Sequence, residues 1–384
     1  MILKRMTEKR GAEMEFRDLK AQYRQHKEEI DHAIYQVLAG GGFIGGAPVR
    51  ELEQKLAEYA GVKHCITCAN GTDALQLALM AWGIGPGDAV FVPDFSFFSS
   101  AEVVPVVGAV PVFVDIDKDT FNISADSLEK AIEYVLQRTN LKPRAVVAVD
   151  LFGQPADYTR IQRIAQKYDL LLLEDAAQGF GGSIGEKRAC SFGDISTTSF
   201  FPAKPLGCYG DGGAVFTDND DWAALLRSYC VHGKGADKYD NVRIGMNSRL
   251  DTLQAAVLIQ KLRFFDEETD RCNRVAEEYT RILDGHVKTP VAAQRMRSSW
   301  AQYTICLEDG RHREEVMQRL KEADIPTAVY YKKPLHQQEA LKQYAMDELE
   351  CAVTEQICKC CLSLPMHAYL KSDDVERIGT ILIM

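Results

Sequence analysis

The alternation of short apolar runs with amphipathic stretches limits this chain to a small set of folds. Six runs between positions 89 and 217 read as strands: 89–93, 112–116, 145–151, 170–174, 197–201 and 214–217. Stretches with helical spacing of apolar residues lie before and between them, at 73–82, 127–137 and 158–167. Strands that are apolar almost throughout need cover on both faces, and helical crossovers make successive strands parallel. The pattern predicts an α/β fold built on a mostly parallel, doubly wound sheet. Ligands of such a sheet sit beyond the carboxyl ends of its strands.

With 384 residues the chain exceeds what a single core usually reaches, so a second lobe is expected. Positions 22–38 read as a helix stopped by Gly40-Gly41-Gly42, and 51–59 as a second short helix. From about Leu253 the character changes. A long helical stretch at 253–281 is followed by a strand at 300–307, a helix at 313–323, a strand at 327–331 and helices at 346–359 and 372–382. The predicted division is a charged, aperiodic tail at 1–13, a large domain at 14–258 and a smaller C-terminal α+β domain at 259–384, hinged on the long helix.

Composition removes several classes of function. Lys and Arg total 45 against 55 Asp and Glu, a net charge of −10, which argues against a dedicated nucleic-acid binder. The longest apolar run, 103–114, is broken by Pro105, Gly108 and Pro111. It falls short of the ~20 residues a membrane helix needs, so no membrane association is expected. Eleven cysteines, an odd number without regular spacing, do not make a secreted disulfide framework. The first ten residues lack the apolar core of a signal peptide, so a cytoplasmic protein with reduced thiols is expected. Cys65 and Cys68 form a CxxC, and Cys358, Cys360 and Cys361 cluster, but neither group has a matching Cys or His pair at zinc-site spacing. No metal is expected.

Three segments at the ends of predicted strands carry the chemistry. In Asn70-Gly71-Thr72-Asp73 a glycine and a hydroxyl residue open an amphipathic helix. Free N–H groups and the positive dipole end suit a phosphate there, although an ordinary N-cap has the same look. The run Leu171-Leu172-Leu173-Glu174-Asp175 is a buried strand that delivers two carboxylates to its end. A buried carboxylate needs a partner, and either a protonated ring nitrogen or a helix start capped by Asp175 would supply one. The third segment places Lys204 on a bend between Pro202 and Pro205, ahead of Gly210-Asp211-Gly212-Gly213. Burial would lower the pKa of such a lysine and make it a nucleophile, whereas a lone surface lysine is a solvated charge. No G-x-G-x-x-G follows a strand and opens a helix, which counts against a dinucleotide site. A phosphate cradle, a carboxylate for a ring nitrogen and a bend lysine together match what pyridoxal 5'-phosphate requires.

These segments, with Glu174-Asp175-Ala176-Ala177-Gln178, Ser199-Phe200-Phe201-Pro202-Ala203-Lys204 and Asn247-Ser248-Arg249-Leu250, resemble the motifs of DegT/DnrJ/EryC1/StrS sugar aminotransferases. The resemblance runs from about Met14 to the C-terminus. It implies a fold-type I, pyridoxal-phosphate-dependent aspartate aminotransferase fold and a homodimer with shared active sites. By it, Lys204 is the covalent anchor of the cofactor, Asp175 pairs with the pyridinium nitrogen, and Gln178 lies beside the ring near its phenolic oxygen. Phe97 stacks on the ring, and Gly71, Thr72 and Ser199 hold the phosphate. Asn247 matches a residue that reaches the phosphate from the partner subunit.

Within the family, the stretches around Lys204 and Arg249 look most like UDP-2-acetamido-2-deoxy-3-oxo-D-glucuronate aminotransferases, which make 3-amino sugars for bacterial surface polysaccharide such as O-antigen. In that branch the arginine matching Arg249 faces the substrate carboxylate across the dimer. A guanidinium suits that role because it donates two parallel hydrogen bonds, and an intersubunit ion pair is the alternative. Tyr331 matches a tyrosine near the substrate. Two positions depart from the pattern: Ala203 stands where relatives usually carry serine, and Tyr330 where they often carry histidine. The resemblance thus implies transamination of a nucleotide-linked keto-sugar with L-glutamate as donor, in ping-pong order. A 4-amino-sugar aminotransferase and a non-catalytic, cofactor-binding regulatory member are the alternatives.

Overall fold

A computed structural model of the chain describes residues 14–237, 239–292 and 295–384. The expected tail at 1–13 lies outside them. Helices α1 (Leu19–Gln25), α2 (Lys27–Gly40) and α3 (Ala47–Ala60) precede strand β1 (His64–Cys68) and α4 (Gly71–Ala81). Then come β2 (Asp88–Pro93), α5 (Ser99–Val106), β3 (Val110–Val114), α6 (Ala125–Arg138), β4 (Lys142–Val149), α7 (Tyr158–Lys167) and β5 (Leu171–Asp175). The short strands β6 (Ser183–Ile184) and β7 (Lys187–Arg188) lead to β8 (Ile195–Ser199), β9 (Gly213–Thr217) and α8 (Asp220–Tyr229).

Seven strands join in the order β1-β9-β8-β5-β4-β2-β3. β9 runs antiparallel to both its neighbours, β1 and β8, and the remaining pairs are parallel. The expected mostly parallel sheet is therefore present. Side chains on a strand alternate between faces, and here both faces are apolar. In β2, Ala89 and Phe91 enter one core while Val90 and Val92 enter the other. In β4, Val146 and Ala148 oppose Ala145, Val147 and Val149 in the same way. Each aliphatic side chain of Val or Leu size buried so contributes about 1.5–3 kcal/mol, which is why a polar substitution on either face of these strands would be costly.

The C-terminal part contains α9 (Thr252–Leu262), α10 (Phe265–Leu283), β10 (Met296–Arg297), β11 (Tyr303–Cys306), α11 (Gly310–Glu322), α12 (Ala352–Cys360), β12 (Cys361–Leu364) and α13 (Ser372–Ile383). β11 and β12 pair antiparallel, and Tyr303, Ile305, Leu362 and Leu364 share a third core with Tyr279, Val316, Leu320 and Ile378.

Several expectations change. The stretch 22–38 is two helices, because the chain turns at His26 between α1 and α2. The long stretch 253–281 is likewise divided, at Arg263 and Phe264. Positions 327–331 form no strand; a single bridge joins Ala328 to Ser363. The helix expected from 346 begins only at Ala352, where Asp115 accepts from the Val353 and Thr354 N–H groups (2.9 and 2.8 Å) and fixes the start. The apolar run 103–114 holds the end of α5, a turn and β3. The short strands β1 and β12 carry little alternation and were not expected, and α8, which Asn219 caps by accepting from the Asp221 and Trp222 N–H groups, was not expected either.

Candidate active site

β5 ends in two neighbouring carboxylates, and the strand period sends them to opposite faces. Glu174 is fully buried and accepts from the Cys190 N–H (2.6 Å), the Phe192 N–H (2.7 Å) and the Ser196 hydroxyl (2.7 Å). Protein donors occupy its oxygens, so it ties down the 190–193 loop. Only Asp175 is left for a ligand. It is 4% exposed and accepts from the Ser100 hydroxyl (2.8 Å) and the Ala177 N–H (3.1 Å). Burial pushes its carboxyl pKa up, while those two hydrogen bonds and the nearby Lys204 ammonium pull it down.

Lys204 stands on the bend the sequence suggested. Its N–H donates to the Phe201 carbonyl (2.8 Å), and a Cβ at Gly207 would lie 2.3 Å from the Pro202 carbonyl oxygen, so the bend requires glycine there. The Arg17 guanidinium donates to the Lys204 carbonyl (3.1 Å) and holds the bend from outside. Part of the lysine side chain stays accessible, but protein crowds it on most sides. Desolvation therefore lowers its ammonium pKa, Arg17 adds to the lowering, and Asp175 opposes it. A lysine held this way spends more of its time as the neutral, nucleophilic amine.

The first turn of α4 makes the cradle. Asn70 caps the helix by accepting from the Asp73 N–H (2.8 Å), which leaves the Gly71 and Thr72 N–H groups without intrahelical acceptors. Gly71 packs against Ser199 so closely that a Cβ would sit 2.7 Å from the Ser199 Cβ. The Thr72 and Ser99 hydroxyls share a hydrogen bond (2.7 Å). Backbone donors, hydroxyls and the helix dipole thus converge on one point, as an anionic group needs.

Gln178 accepts from the Phe152 N–H (2.7 Å) and donates from its amide nitrogen to the Tyr331 hydroxyl (3.2 Å). Burial, more than the Asp175 charge, raises the Tyr331 phenol pKa. Phe97 lies just before α5, its carbonyl accepting from the Ser100 N–H (3.2 Å), and the residue is 54% exposed. An aromatic face left open beside the residue that touches Asp175 suits a flat ligand. A buried acid, a crowded amine, a cradle at Gly71 that admits no side chain, and an uncovered aromatic together fit pyridoxal phosphate.

Asn247 and Arg249 lie on the exposed side of the segment 247–250. The segment alternates: Asn247 and Arg249 are exposed, while Ser248 and Leu250 are buried. Ser248 accepts from the Ala69 N–H (3.0 Å) and so pins the inner side of the segment next to the cradle. Sequence reading missed Ser99, Ser100 and Arg17. The hydroxyl residues Ser96, Ser99 and Ser100 at the entry to α5 are the available signal, and the Ser96 and Ser100 hydroxyls share a hydrogen bond (2.8 Å). Arg17 gives none, because it precedes the first helix and acts across a large separation in sequence.

Residues 24–383 match the DegT/DnrJ/EryC1/StrS aminotransferase family. A Pseudomonas aeruginosa protein, UDP-2-acetamido-2-deoxy-3-oxo-D-glucuronate aminotransferase, is 44% identical over 95% of this chain and 98% of its own. The pleiotropic regulatory protein of Geobacillus stearothermophilus is 40% identical over 94% of this chain and 95% of its own. Among solved structures, a Brucella abortus aminotransferase of the same family has a TM-score of 0.94 at 48% identity, covering 96% of this chain and 98% of that one. A Bacillus subtilis protein solved with the cofactor PMP has a TM-score of 0.85 at 27% identity, covering 98% and 87%. The chain belongs to the DegT/DnrJ/EryC1/StrS aminotransferase family and is a pyridoxal-phosphate-dependent aminotransferase.

Proposed function

We propose that the protein transfers an amino group from L-glutamate to the 3-keto carbon of UDP-2-acetamido-2-deoxy-3-oxo-D-glucuronate. The product would be a 3-amino sugar for bacterial surface polysaccharide, made in the cytoplasm by a homodimer. The observation that carries the reaction type is the crowded Lys204 amine next to buried Asp175. Likeness to the Pseudomonas relative supports the substrate.

Bound pyridoxal phosphate supplies an electron sink for carbon–nitrogen exchange. Asp175 holds the ring-nitrogen proton by charge, oriented by Ser100 and the Ala177 N–H. Lys204 would hold the cofactor covalently, and its amine would serve as the base and acid that moves the proton at the reacting carbon. Gly71, Thr72 and Ser199 would hold the phosphate, and Phe97 would cover one ring face. Gln178, fixed by Phe152, would lie beside the ring, and it donates to Tyr331, which would stand on the substrate side. Asn247 and Arg249 project outward, which suits service in the site of a second copy: Asn247 on its phosphate, Arg249 on the uronate carboxylate.

The test is a panel of UDP- and dTDP-linked keto-sugars with glutamate, read by product mass and NMR. Arg249→Ala is expected to cost roughly 2–4 kcal/mol in kcat/KM for the keto-uronate, the range for losing a charge-paired group. Cofactor loading should change far less. A variant that remains dimeric by sedimentation and keeps the parent's preference for the uronate over the matching 6-hydroxy sugar would overturn the substrate assignment. The name of the Geobacillus relative favours a regulatory second reading. Retained Lys204 and Asp175 speak against it, and absence of turnover across the panel would favour it.

A further inference from the structure

Asp94, the residue after β2, is completely buried. The backbone N–H of His336 donates to its Oδ1 (2.8 Å), and the His336 ring Nδ1 lies 2.6 Å from its Oδ2. The third member is Cys351, a 6% exposed thiol at the N-cap of α12. One ligand atom from each of Asp94, His336 and Cys351 lies within 4.8 Å of the others. A cavity of about 410 Å³ adjoins them, lined by His336, Cys351, Glu355, Glu350 and Asp347 among others.

We propose that Asp94, His336 and Cys351 form a zinc site, completed from the cavity by water or by Glu355. The donor set is the first reason. One carboxylate, one imidazole and one thiolate suit a borderline-soft metal, whereas calcium and magnesium want oxygen throughout. Distance is the second. Zinc bonds of about 2.0–2.3 Å place tetrahedral ligand atoms about 3.3–3.8 Å apart. A thiol within 4.8 Å need move little, and the 2.6 Å imidazole–carboxylate contact must open slightly. Charge is the third. The negative fields of Asp94, Asp115 and Glu355 all act on Cys351, and a dication would compensate them. Asp115 is not a ligand, because the Val353 and Thr354 donors already take it up. Metal binding releases the thiol proton and any proton on the His336 nitrogen that ligates.

The ligands come from three places: the end of β2, the turn at Leu335–Gln337, and the start of α12. Tyr331 lies five residues before His336 in sequence, and the Leu335 N–H donates to the Asp94 carbonyl (3.0 Å). The metal would therefore fasten the segment carrying Tyr331 to the sheet. Positions 94, 336 and 351 show no zinc-binding spacing in the sequence, so only the fold reveals them.

Cobalt(II) titration of the chelator-treated holoprotein tests the site. The d–d bands of tetrahedral Co²⁺ lie to the red of the cofactor's own absorption, so they report metal without reference to activity. The expected result is one equivalent of Co²⁺ per chain with tetrahedral intensity, displaced by Zn²⁺. Cys351→Ser and His336→Gln should each weaken binding by roughly 100-fold or more, since even outer partners of a ligand are worth 10–100-fold. Cys65→Ser and Cys360→Ser should leave it unchanged. The two ligand variants serve as checks on each other if one folds poorly by circular dichroism. Retention of the parent's bands and affinity in Cys351→Ser, or failure to hold Co²⁺ through gel filtration, overturns the proposal.

Discussion

Replacing Gly71 by alanine tests the cradle through simple geometry. The added Cβ would stand 2.7 Å from the Ser199 Cβ, where carbon atoms prefer about 3.5–4.0 Å. Overlap of about 1 Å must be relieved by moving α4 or β8, and overpacking of this kind costs about 1–3 kcal/mol. Alanine's helix preference over glycine returns at most about 1 kcal/mol. The apo protein should therefore lose about 1–2 kcal/mol in urea unfolding. Displacing the first turn of α4 should also weaken cofactor binding by about tenfold, read by absorbance titration, since tenfold corresponds to 1.4 kcal/mol. Adding Ser199→Gly removes the obstacle. The double variant should recover most of the stability, measured against Ser199→Gly alone, yet not the affinity, because the hydroxyl is gone. A Gly71→Ala protein with parental stability and affinity would refute the packing argument, and so would a double variant that recovers nothing.

Lys204→Ala should abolish turnover and bind cofactor weakly, and borohydride reduction of the parent should label the Lys204 peptide; label elsewhere refutes the anchor. Asp175→Asn should keep the fold but lose transamination, because an amide cannot hold the ring proton by charge; a near-parental rate would make Asp175 structural. His367 is buried, its Nδ1 accepting from the Tyr369 N–H (3.3 Å), and burial lowers its pKa to about 4. The unfolded chain takes up this proton near pH 6.5 and the folded chain only near 4. Stability is thus lost as pH falls through that window, by about 3 kcal/mol in full. His367→Gln should flatten the fall in urea midpoint between pH 7 and 4.5; parallel curves for the two proteins would contradict it.

Strands buried on both faces were legible because their composition is nearly independent of what surrounds them. Runs 89–93 and 214–217 sit within the observed β2 and β9, and 158–167 coincides with α7. The long stretch at 253–281 misled because its apolar spacing runs on through Arg263 and Phe264, where tertiary packing turns the chain. β1 was missed because its five residues, His64–Cys68, carry little alternation and acquire strand form from pairing with β9. At the site, local motifs marked Lys204, Asp175 and Gly71. Contacts between distant segments, such as Arg17 with Lys204 or Ser100 with Asp175, leave no local trace. Nor does sequence show that Asn247 and Arg249 face outward.

Glu174 and Asp175 stand side by side with the same charge, yet neither can do the other's work. A shorter side chain at 174 would retract from the Cys190, Phe192 and Ser196 donors, and a longer one at 175 would carry its carboxylate away from the Ser100 hydroxyl and the Ala177 N–H. An exchange of the two would need both changes at once, and each single step passes through a protein with a loosened loop or a misplaced acid. The order of the two acids along the strand end is therefore fixed by what each side chain touches.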